Sequence, residues 1–128
     1  MDQNARQDDP LTREIIGAAI EVHKALGPGL LESAYETCLA KELEIRGLPT
    51  QRQAEIKLEY KGETLDCVYR MDLVVKGSVL VEIKAIEKLL RIHDAQVLTY
   101  LRLTGLRRAL LLNFNIPYLR DGIKRLSL

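Results

Sequence analysis

The 128-residue chain has no tryptophan, one phenylalanine and two cysteines, and it contains no apolar run long enough to cross a bilayer. A transmembrane helix needs about 20 consecutive apolar residues, so we expect no contact with a membrane. Residues 1–9 are polar and lack the basic and apolar regions of a secretory signal, which predicts a cytoplasmic protein. A chain with so few aromatic rings offers little surface on which bases could stack.

The two cysteines, Cys38 and Cys67, have no C-x-x-C spacing. Each falls in an apolar pattern, so buried free thiols are expected and a disulfide or zinc site is not. Hydrophobic residues make up 47% of the chain, which suffices for one core but not for two. We therefore expect a flexible N-terminal segment over residues 1–10 and a single domain over residues 11–128.

Charge is unevenly distributed, although the formal net charge is only +1. Residues 1–66 hold 8 Lys and Arg against 13 Asp and Glu, a net of −5, whereas residues 67–128 hold 11 against 5, a net of +6. A basic half suits a polyanionic partner, but ordinary solvated surface charge explains it equally well.

Hydrophobic periodicity predicts a mixed α/β chain. Asp9 and Pro10 are typical of a helix start, and the segment Gly27-Pro28-Gly29 ends that helix. The further predicted elements are a helix over 30–46, strands over 53–60, 64–75 and 79–84, a helix over 92–104, a buried strand over 109–112 and an edge strand over 123–128.

An Asp and a Glu, ten residues apart, lie on two of these strands, and a Lys follows two residues after the Glu. With Gly77 as the pivot of the hairpin, Asp72 lies opposite Glu82, and Lys84 shares their face. The same register predicts one apolar face made of Met71, Leu73, Val75, Val79, Val81 and Ile83. For the preceding hairpin, pairing about the turn Lys61-Gly62 predicts that Leu58 lies opposite Leu65 and Ile56 opposite Cys67.

This order of elements, with Asp and then Glu-x-Lys on the meander, resembles the core of the PD-(D/E)xK nuclease superfamily. The segment Gly29-Leu30-Leu31-Glu32-Ser33-Ala34-Tyr35 is similar to the motif of the GxxExxY protein family. The similarity continues through Arg70-Met71-Asp72-Leu73, Val81-Glu82-Ile83-Lys84, His93-Asp94-Ala95-Gln96 with Tyr100, and Leu111-Leu112-Asn113-Phe114. The resemblance implies a nuclease-like core with a mixed sheet, a three-stranded antiparallel meander and flanking helices.

The resemblance also implies a divalent metal site, with Mg²⁺ or Mn²⁺ as the cofactor. Asp72 and Glu82 take the place of its carboxylate ligands, and the carbonyl of Ile83 could complete the set, because hard oxygens suit these ions. Lys84 takes the catalytic lysine's place, orienting the attacking water. Glu32 is implied to bind the metal or to contact one of its ligands. Alternatively, with Gly29 as N-cap, its carboxylate only interacts favourably with the helix dipole.

Further residues are implied to surround this site. Gln96 occupies the place of a helix glutamine that contacts the site in the superfamily, and it shares a helix face with His93 and Tyr100. The substrate-binding candidates are Tyr35, Lys88, His93, Tyr100 and Arg102, and the basic second half adds Arg107 and Arg108. For Tyr35 and His93, an ordinary structural role is the competing interpretation.

The resulting prediction is a metal-dependent nuclease that hydrolyses phosphodiester bonds of DNA. DNA is favoured over RNA as the partner, although no residue pattern distinguishes them, and a domain this small favours a homodimer on a long duplex. The alternative is a non-catalytic module that binds nucleic acid or protein on the same fold. A purely structural explanation of the charged strand residues is a salt-bridge network of Arg70, Asp72, Glu82 and Lys84.

Overall fold

The computed structural model describes residues 9–128, apart from the side chain of Cys67. Every predicted element is present within this range, the edge strand included. The helices and strands are α1 (Pro10–Leu26), α2 (Glu32–Ile45), β1 (Thr50–Tyr60), β2 (Glu63–Val75), β3 (Val79–Lys84), α3 (Arg91–Thr104), β4 (Arg108–Asn113) and β5 (Ile123–Ser127), with a 3₁₀ helix over Leu119–Gly122.

The strands form a five-stranded mixed sheet in the order β1-β2-β3-β4-β5. The β1/β2 and β2/β3 pairs are antiparallel and make the predicted meander. Strands β3 and β4 are parallel, because α3 carries the chain back between them, and β5 returns antiparallel to β4. Among the described residues, no helix combines the length and the hydropathy that crossing a bilayer requires.

The first helix begins as its sequence predicts. The Asp9 side chain accepts a hydrogen bond from the Thr12 N–H at 2.9 Å, with Pro10 in the first turn. Asp9 also forms an ion pair with Arg108 on β4. The predicted flexible segment 1–10 therefore needs correction at its end, since Asp9 and Pro10 are part of the α1 start, and residues 1–8 lie outside the described range.

Two apolar clusters cover the two faces of the sheet. The cluster beneath α1 and α2 contains Leu73, Val75, Val79, Val81 and Ile83 from the hairpin. The second cluster, beneath α3, contains Met71, Val74 and Leu80. The prediction of one shared apolar face is thus wrong for Met71. Of the charged trio, Glu82 is buried, whereas Asp72 and Lys84 are half-buried.

The pairing of β1 with β2 also differs from the prediction. Next to the turn, Tyr60 pairs with Glu63 and Glu59 with Thr64, as expected. A bulge between Lys57 and Glu59 then shifts the register, so that Ile56 lies opposite Tyr69 instead of Cys67. Extra residues on one strand produce such a shift, and the apolar alternation alone does not reveal it.

The cysteine prediction is only partly testable. Cys38 on α2 carries a free thiol, as expected, but it is half-buried and packs at the edge of the first cluster. The prediction for the Cys67 side chain falls outside the part of the chain that the structure describes.

Candidate active site

Strands β2 and β3 separate at the acidic pair. The predicted register about Gly77 holds for Val75 with Val79, Val74 with Leu80 and Leu73 with Val81, where the backbone ladder ends. Side chains then replace backbone partners. The Asp72 N–H donates to Glu82 Oε1 at 3.0 Å, and the Ile83 N–H donates to Asp72 Oδ2 at 2.8 Å. Each carboxylate is therefore held by the main chain of the opposite strand.

The two carboxyl groups are partly removed from water, which changes their titration. Glu82 is only 4% exposed. Burial, followed by the charge of Asp72, raises the pKa of Glu82 to about 8. Burial also raises the pKa of Asp72, with the charge of Glu36 as a further cause. Near neutral pH, the pair on its own therefore holds fewer than two negative charges.

The salt-bridge network of Arg70, Asp72, Glu82 and Lys84, which would have been a purely structural explanation, does not form. Arg70 pairs with Glu55 instead, at 3.4 Å. Within residues 9–128, no ion pair of 4.0 Å or less joins Asp72 or Glu82 to a cationic side chain. The buried pair thus lacks the close cation that would ordinarily compensate it.

Lys84 lies at the end of β3 and is half-buried. Its charge acts on Glu82 and lowers the pKa of that carboxyl, which offsets part of the effect of burial. The ammonium group is therefore near the pair without forming a close ion pair with it, and it can donate hydrogen bonds to a third group.

Helix α3 contributes a polar pair over the same part of the sheet. Gln96 Nε2 donates to the Tyr100 hydroxyl at 3.1 Å. Burial raises the pKa of Tyr100, and the charge of Glu82 is a further cause. Gln96 and Tyr100 line a cleft with Tyr69, and neither side chain forms a hydrogen bond with Asp72 or Glu82 within residues 9–128. His93 has a different task, since its Nδ1 accepts from the Leu90 N–H at 2.8 Å and caps the helix.

Tyr35 belongs to the core and not to the site. Its ring is 0% exposed and stacks on Phe114 at a centroid distance of 4.5 Å. The hydroxyl donates to the Gly27 carbonyl at 2.6 Å and accepts from the Leu30 N–H at 3.1 Å. The predicted contact of Tyr35 with substrate is wrong, because the side chain has no accessible surface.

A cleft of about 520 Å³ opens beside Asp72, lined by Leu31, Glu32, Ser33, Glu36, Gln53, Asp72 and Ile83. Glu32 is exposed and is the first residue of α2, whose N-cap is Leu31 and not Gly29. The predicted N-cap is therefore wrong. The α2 residue whose charge raises the pKa of Asp72 is Glu36, one helical turn after Glu32.

Sequence reasoning missed Glu36 and Gln53. Glu36 is four residues after Glu32, so helical spacing alone could have placed both acids on one side of α2. Gln53 gives no such signal. It reaches the site because its backbone adopts a positive φ of 51°, which the residue type does not predict.

The basic candidates for substrate contact lie at the surface. Lys88 is exposed in the segment between β3 and α3, and Arg102 is exposed near the end of α3. Arg107 is also exposed, whereas Arg108 is occupied by its ion pair with Asp9. Lys88, Arg102 and Arg107 are therefore accessible to a polyanionic partner.

The donor set of this site suits a hard divalent cation. Two carboxylates without a close cation partner lie side by side, and such oxygens are the ligands that Mg²⁺ and Mn²⁺ prefer. No three His, Cys, Asp or Glu side chains gather into a metal cluster within residues 9–128, so Glu32 does not join the pair. A bound ion would need backbone oxygen and water for the rest of its shell, as Mg²⁺ commonly does.

Comparison with known proteins gives the family. The sequence model of the PD-(D/E)XK nuclease superfamily matches residues 9–126. The chain therefore belongs to the PD-(D/E)XK nuclease superfamily, and the predicted fold class is confirmed. The narrower resemblance to the GxxExxY family stays a prediction.

The crystal structure of SSO0001 has the same fold, with a TM-score of 0.53 and 20% sequence identity. The similarity covers 74% of this chain but 48% of that one, so this chain spans about half the length of SSO0001. At this identity the likeness concerns the fold alone. A comparison with curated proteins finds no match.

Proposed function

We propose that this protein is a divalent-metal-dependent nuclease that hydrolyses phosphodiester bonds of DNA. The observation that carries the proposal is the acidic pair at the separated ends of β2 and β3. Asp72 and Glu82 are held by the main chain of the opposite strand and lack a close cationic partner, and Glu82 is buried while Asp72 is half-buried beside the cleft. Such a pair is unfavourable alone and becomes favourable when a cation binds between its members.

Asp72 and Glu82 would hold Mg²⁺ or Mn²⁺. The Ile83 N–H already points at Asp72, and both backbone groups of a strand residue face the same neighbouring strand, so the Ile83 carbonyl is available at this edge. The bound cation would supply charge neutralisation at a phosphodiester and a more acidic water molecule. We retain Glu32 as a ligand candidate only through an intervening water, because it lines the cleft but is not clustered with the pair.

Lys84 and the α3 pair would act on the reacting groups. The Lys84 ammonium is near the carboxylates without an ion pair, so its N–H groups can orient the attacking water or stabilise charge on the phosphoryl oxygens. The Tyr100 hydroxyl, which accepts a hydrogen bond from Gln96, is close enough for the charge of Glu82 to raise its pKa, and we propose that this pair contacts the substrate. Lys88 and Arg102 are proposed to contact backbone phosphates, because both are exposed cations.

The choice of DNA over RNA and a homodimeric assembly belong to the same proposal. Superfamily membership supports a nucleic acid substrate. The net charge of +6 over residues 67–128, the half that carries Asp72, Glu82 and Lys84, supports contact with a polyanion. Sedimentation of the protein with and without duplex DNA tests the dimer.

A cleavage screen tests the activity. The protein is incubated with Mg²⁺ or Mn²⁺ and with linear, nicked, branched and single-stranded DNA and with RNA. We expect metal-dependent cleavage of DNA, and we expect Lys84→Ala to lower kcat by about 100-fold or more while Mn²⁺ affinity stays within a few fold. Lys57→Ala, at an exposed lysine of β1, is the matched control and should leave cleavage unchanged.

Two results would contradict the proposal. If no substrate is cleaved although DNA binds in a salt-dependent manner, the protein is the non-catalytic binding module considered from the sequence. If Lys84→Ala loses metal binding and the folded state together, Lys84 stabilises the sheet and does not serve the chemical step.

A further inference from the structure

A chain of polar contacts leads from the surface to Asp72. Arg52 donates to Glu36 Oε2 from Nε at 3.2 Å and from Nη2 at 3.0 Å. Gln53 Nε2 donates to Glu36 Oε1 at 2.6 Å and reaches Asp72 Oδ1 at 3.4 Å. The Gln53 amide is therefore the link between an acid on α2 and the candidate cation ligand on β2.

The backbone of Gln53 is strained in a way that brings this amide into place. Its φ of 51° lies in the left-handed region, where glutamine is rarely found. The β1/β2 ladder pairs Arg52 with Leu73 and Ala54 with Met71, but it skips Gln53 and Asp72 between them. An interruption at one residue pair with the register kept on both sides points to a local constraint.

The Glu36 side chain is fixed by hydrogen bonds within the protein. It is 9% exposed, and both of its carboxylate oxygens already accept hydrogen bonds, one from Arg52 and the other from Gln53. Such a carboxylate is a rigid support for its neighbours. Asp72 is held at both oxygens as well, since Oδ2 accepts from the Ile83 N–H and Oδ1 faces the Gln53 amide.

We propose that Gln53 is a positioning residue, which holds the Asp72 carboxylate in its cation-binding orientation and is itself held by Glu36, the partner of Arg52. The inference rests on the proposed metal site at Asp72 and Glu82. Gln53 would not contact the cation. It would orient the metal ligand Asp72 through a hydrogen bond, as hydrogen-bonding partners of metal ligands generally do.

The variant Gln53→Asn separates positioning from folding. Asparagine keeps an amide and tolerates the left-handed backbone better than glutamine, but it is one methylene shorter and cannot span Glu36 and Asp72 together. We expect Mn²⁺ affinity, measured by calorimetric titration, to fall about 10-fold or more. The melting temperature in EDTA should be equal to or higher than that of the parent. Gln51→Asn, at an exposed glutamine of the same strand, is the matched control and should bind Mn²⁺ like the parent.

A double-mutant cycle with Glu36→Ala tests the order of the contacts. If Glu36 acts through Gln53, Glu36→Ala weakens Mn²⁺ binding in the parent background but has little further effect in Gln53→Asn. Additive losses would show that Glu36 acts on the cation independently, which would overturn the proposed arrangement.

The remaining outcomes keep this inference distinct from the proposed function. Mn²⁺ binding by the parent together with unchanged binding by Gln53→Asn would overturn the inference and leave the metal site standing. A parallel loss of affinity and of melting temperature in EDTA would make Gln53 a merely structural residue. Absence of Mn²⁺ binding by the parent would overturn both proposals.

Discussion

The two faces of strand β3 differ in what they bury. Val79, Val81 and Ile83 all pack into the apolar cluster beneath α1 and α2. The alternate residues begin in the same way, with Leu80 beneath α3, but the next one is Glu82, which is 4% exposed. The first face can be explained by burial of apolar surface alone. The second cannot, because an ionisable group has been placed where an aliphatic side chain would be more stable.

This contrast indicates where stability and function reside. An apolar cluster stabilises the fold whether or not a ligand is present. A carboxylate pair whose pKa values are raised by burial destabilises the ionised protein, and the cation that we propose it binds would offset this cost. Variants on the first face should therefore affect folding only, and variants on the second should affect both folding and cation binding.

The largest effects should come from the fully buried leucines of β4. Leu112 belongs to the first cluster, whereas Leu111 belongs to the second and lies beside Glu82 in the parallel ladder. Replacing either with Ala should lower the free energy of unfolding by about 2 to 5 kcal/mol, measured by urea denaturation in EDTA. Only Leu111→Ala should also weaken Mn²⁺ binding by several fold. Equal affinities for the two variants would remove the distinction between the faces.

Tyr35 provides the next test, on the stable face. Tyr35→Phe leaves the Gly27 carbonyl and the Leu30 N–H without their buried partner, so the free energy of unfolding should fall by about 1 to 3 kcal/mol. DNA affinity should not change. Tyr60→Phe, at a tyrosine that is 63% exposed, serves as the control. Weaker DNA binding at unchanged stability would restore the substrate role that the sequence predicted for Tyr35.

The acidic face should make stability depend on pH when metal is absent. The pKa of Glu82 is raised from 4.5 to about 8 in the folded protein, so folding favours its protonated form. That contribution is complete below pH 4.5 and is lost as pH rises through about 8.

Glu82→Gln keeps the shape of the side chain and removes this titration. Between pH 5 and pH 9 in EDTA, the parent should lose several kcal/mol of unfolding free energy that the variant retains, because each unit of pKa shift corresponds to about 1.4 kcal/mol. Melting curves across this range provide the measurement. Parallel pH profiles for the two proteins would mean that Glu82 titrates as it does in the unfolded chain.

The smallest effect is expected at the basic surface. Arg102 is exposed and donates a hydrogen bond to Thr99 on its own helix, so its removal should scarcely change stability. If it contacts a phosphate, Arg102→Ala should weaken DNA binding by a few fold and reduce the slope of log affinity against log salt by about 1. Arg120, which rests over the Tyr118 ring, provides the control. An unchanged slope for Arg102→Ala would exclude the contact.

Local patterns predicted much of this molecule. The apolar runs of the two strands, the charged residues that interrupt them and the turn at Gly77 defined the β2/β3 register, which holds for three pairs. Turn chemistry supports it, because Lys76 and Gly77 both have positive φ angles of 53° and 61°. Continuing that register by one pair brings Asp72 and Glu82 together, as the structure does, but the strands are joined there by carboxylate to main-chain hydrogen bonds that the pattern does not predict.

Features that depend on tertiary packing could not be predicted in the same way. Met71 lies on the α3 side, next to the point at which the β1/β2 ladder skips Asp72. An alternation with a period of two does not predict such an interruption. Tyr35 carries a polar group that suggests a surface role, but partners from the Gly27–Leu30 loop satisfy it in the core. Gln53 depends on a backbone angle that its sequence context does not encode.

The most direct test of the acidic pair compares melting of the parent and of Asp72→Asn, each in EDTA and in saturating Mn²⁺. The amide oxygen of the variant can still accept from the Ile83 N–H, and the change removes the partly buried charge of Asp72, so the variant should be slightly more stable than the parent in EDTA. Mn²⁺ at about a hundred times its dissociation constant should then stabilise the parent by about 2.7 kcal/mol and the variant much less, which reverses their order. A variant that is less stable than the parent in EDTA, with equal shifts on adding Mn²⁺, would contradict the proposal that this pair is a cation site.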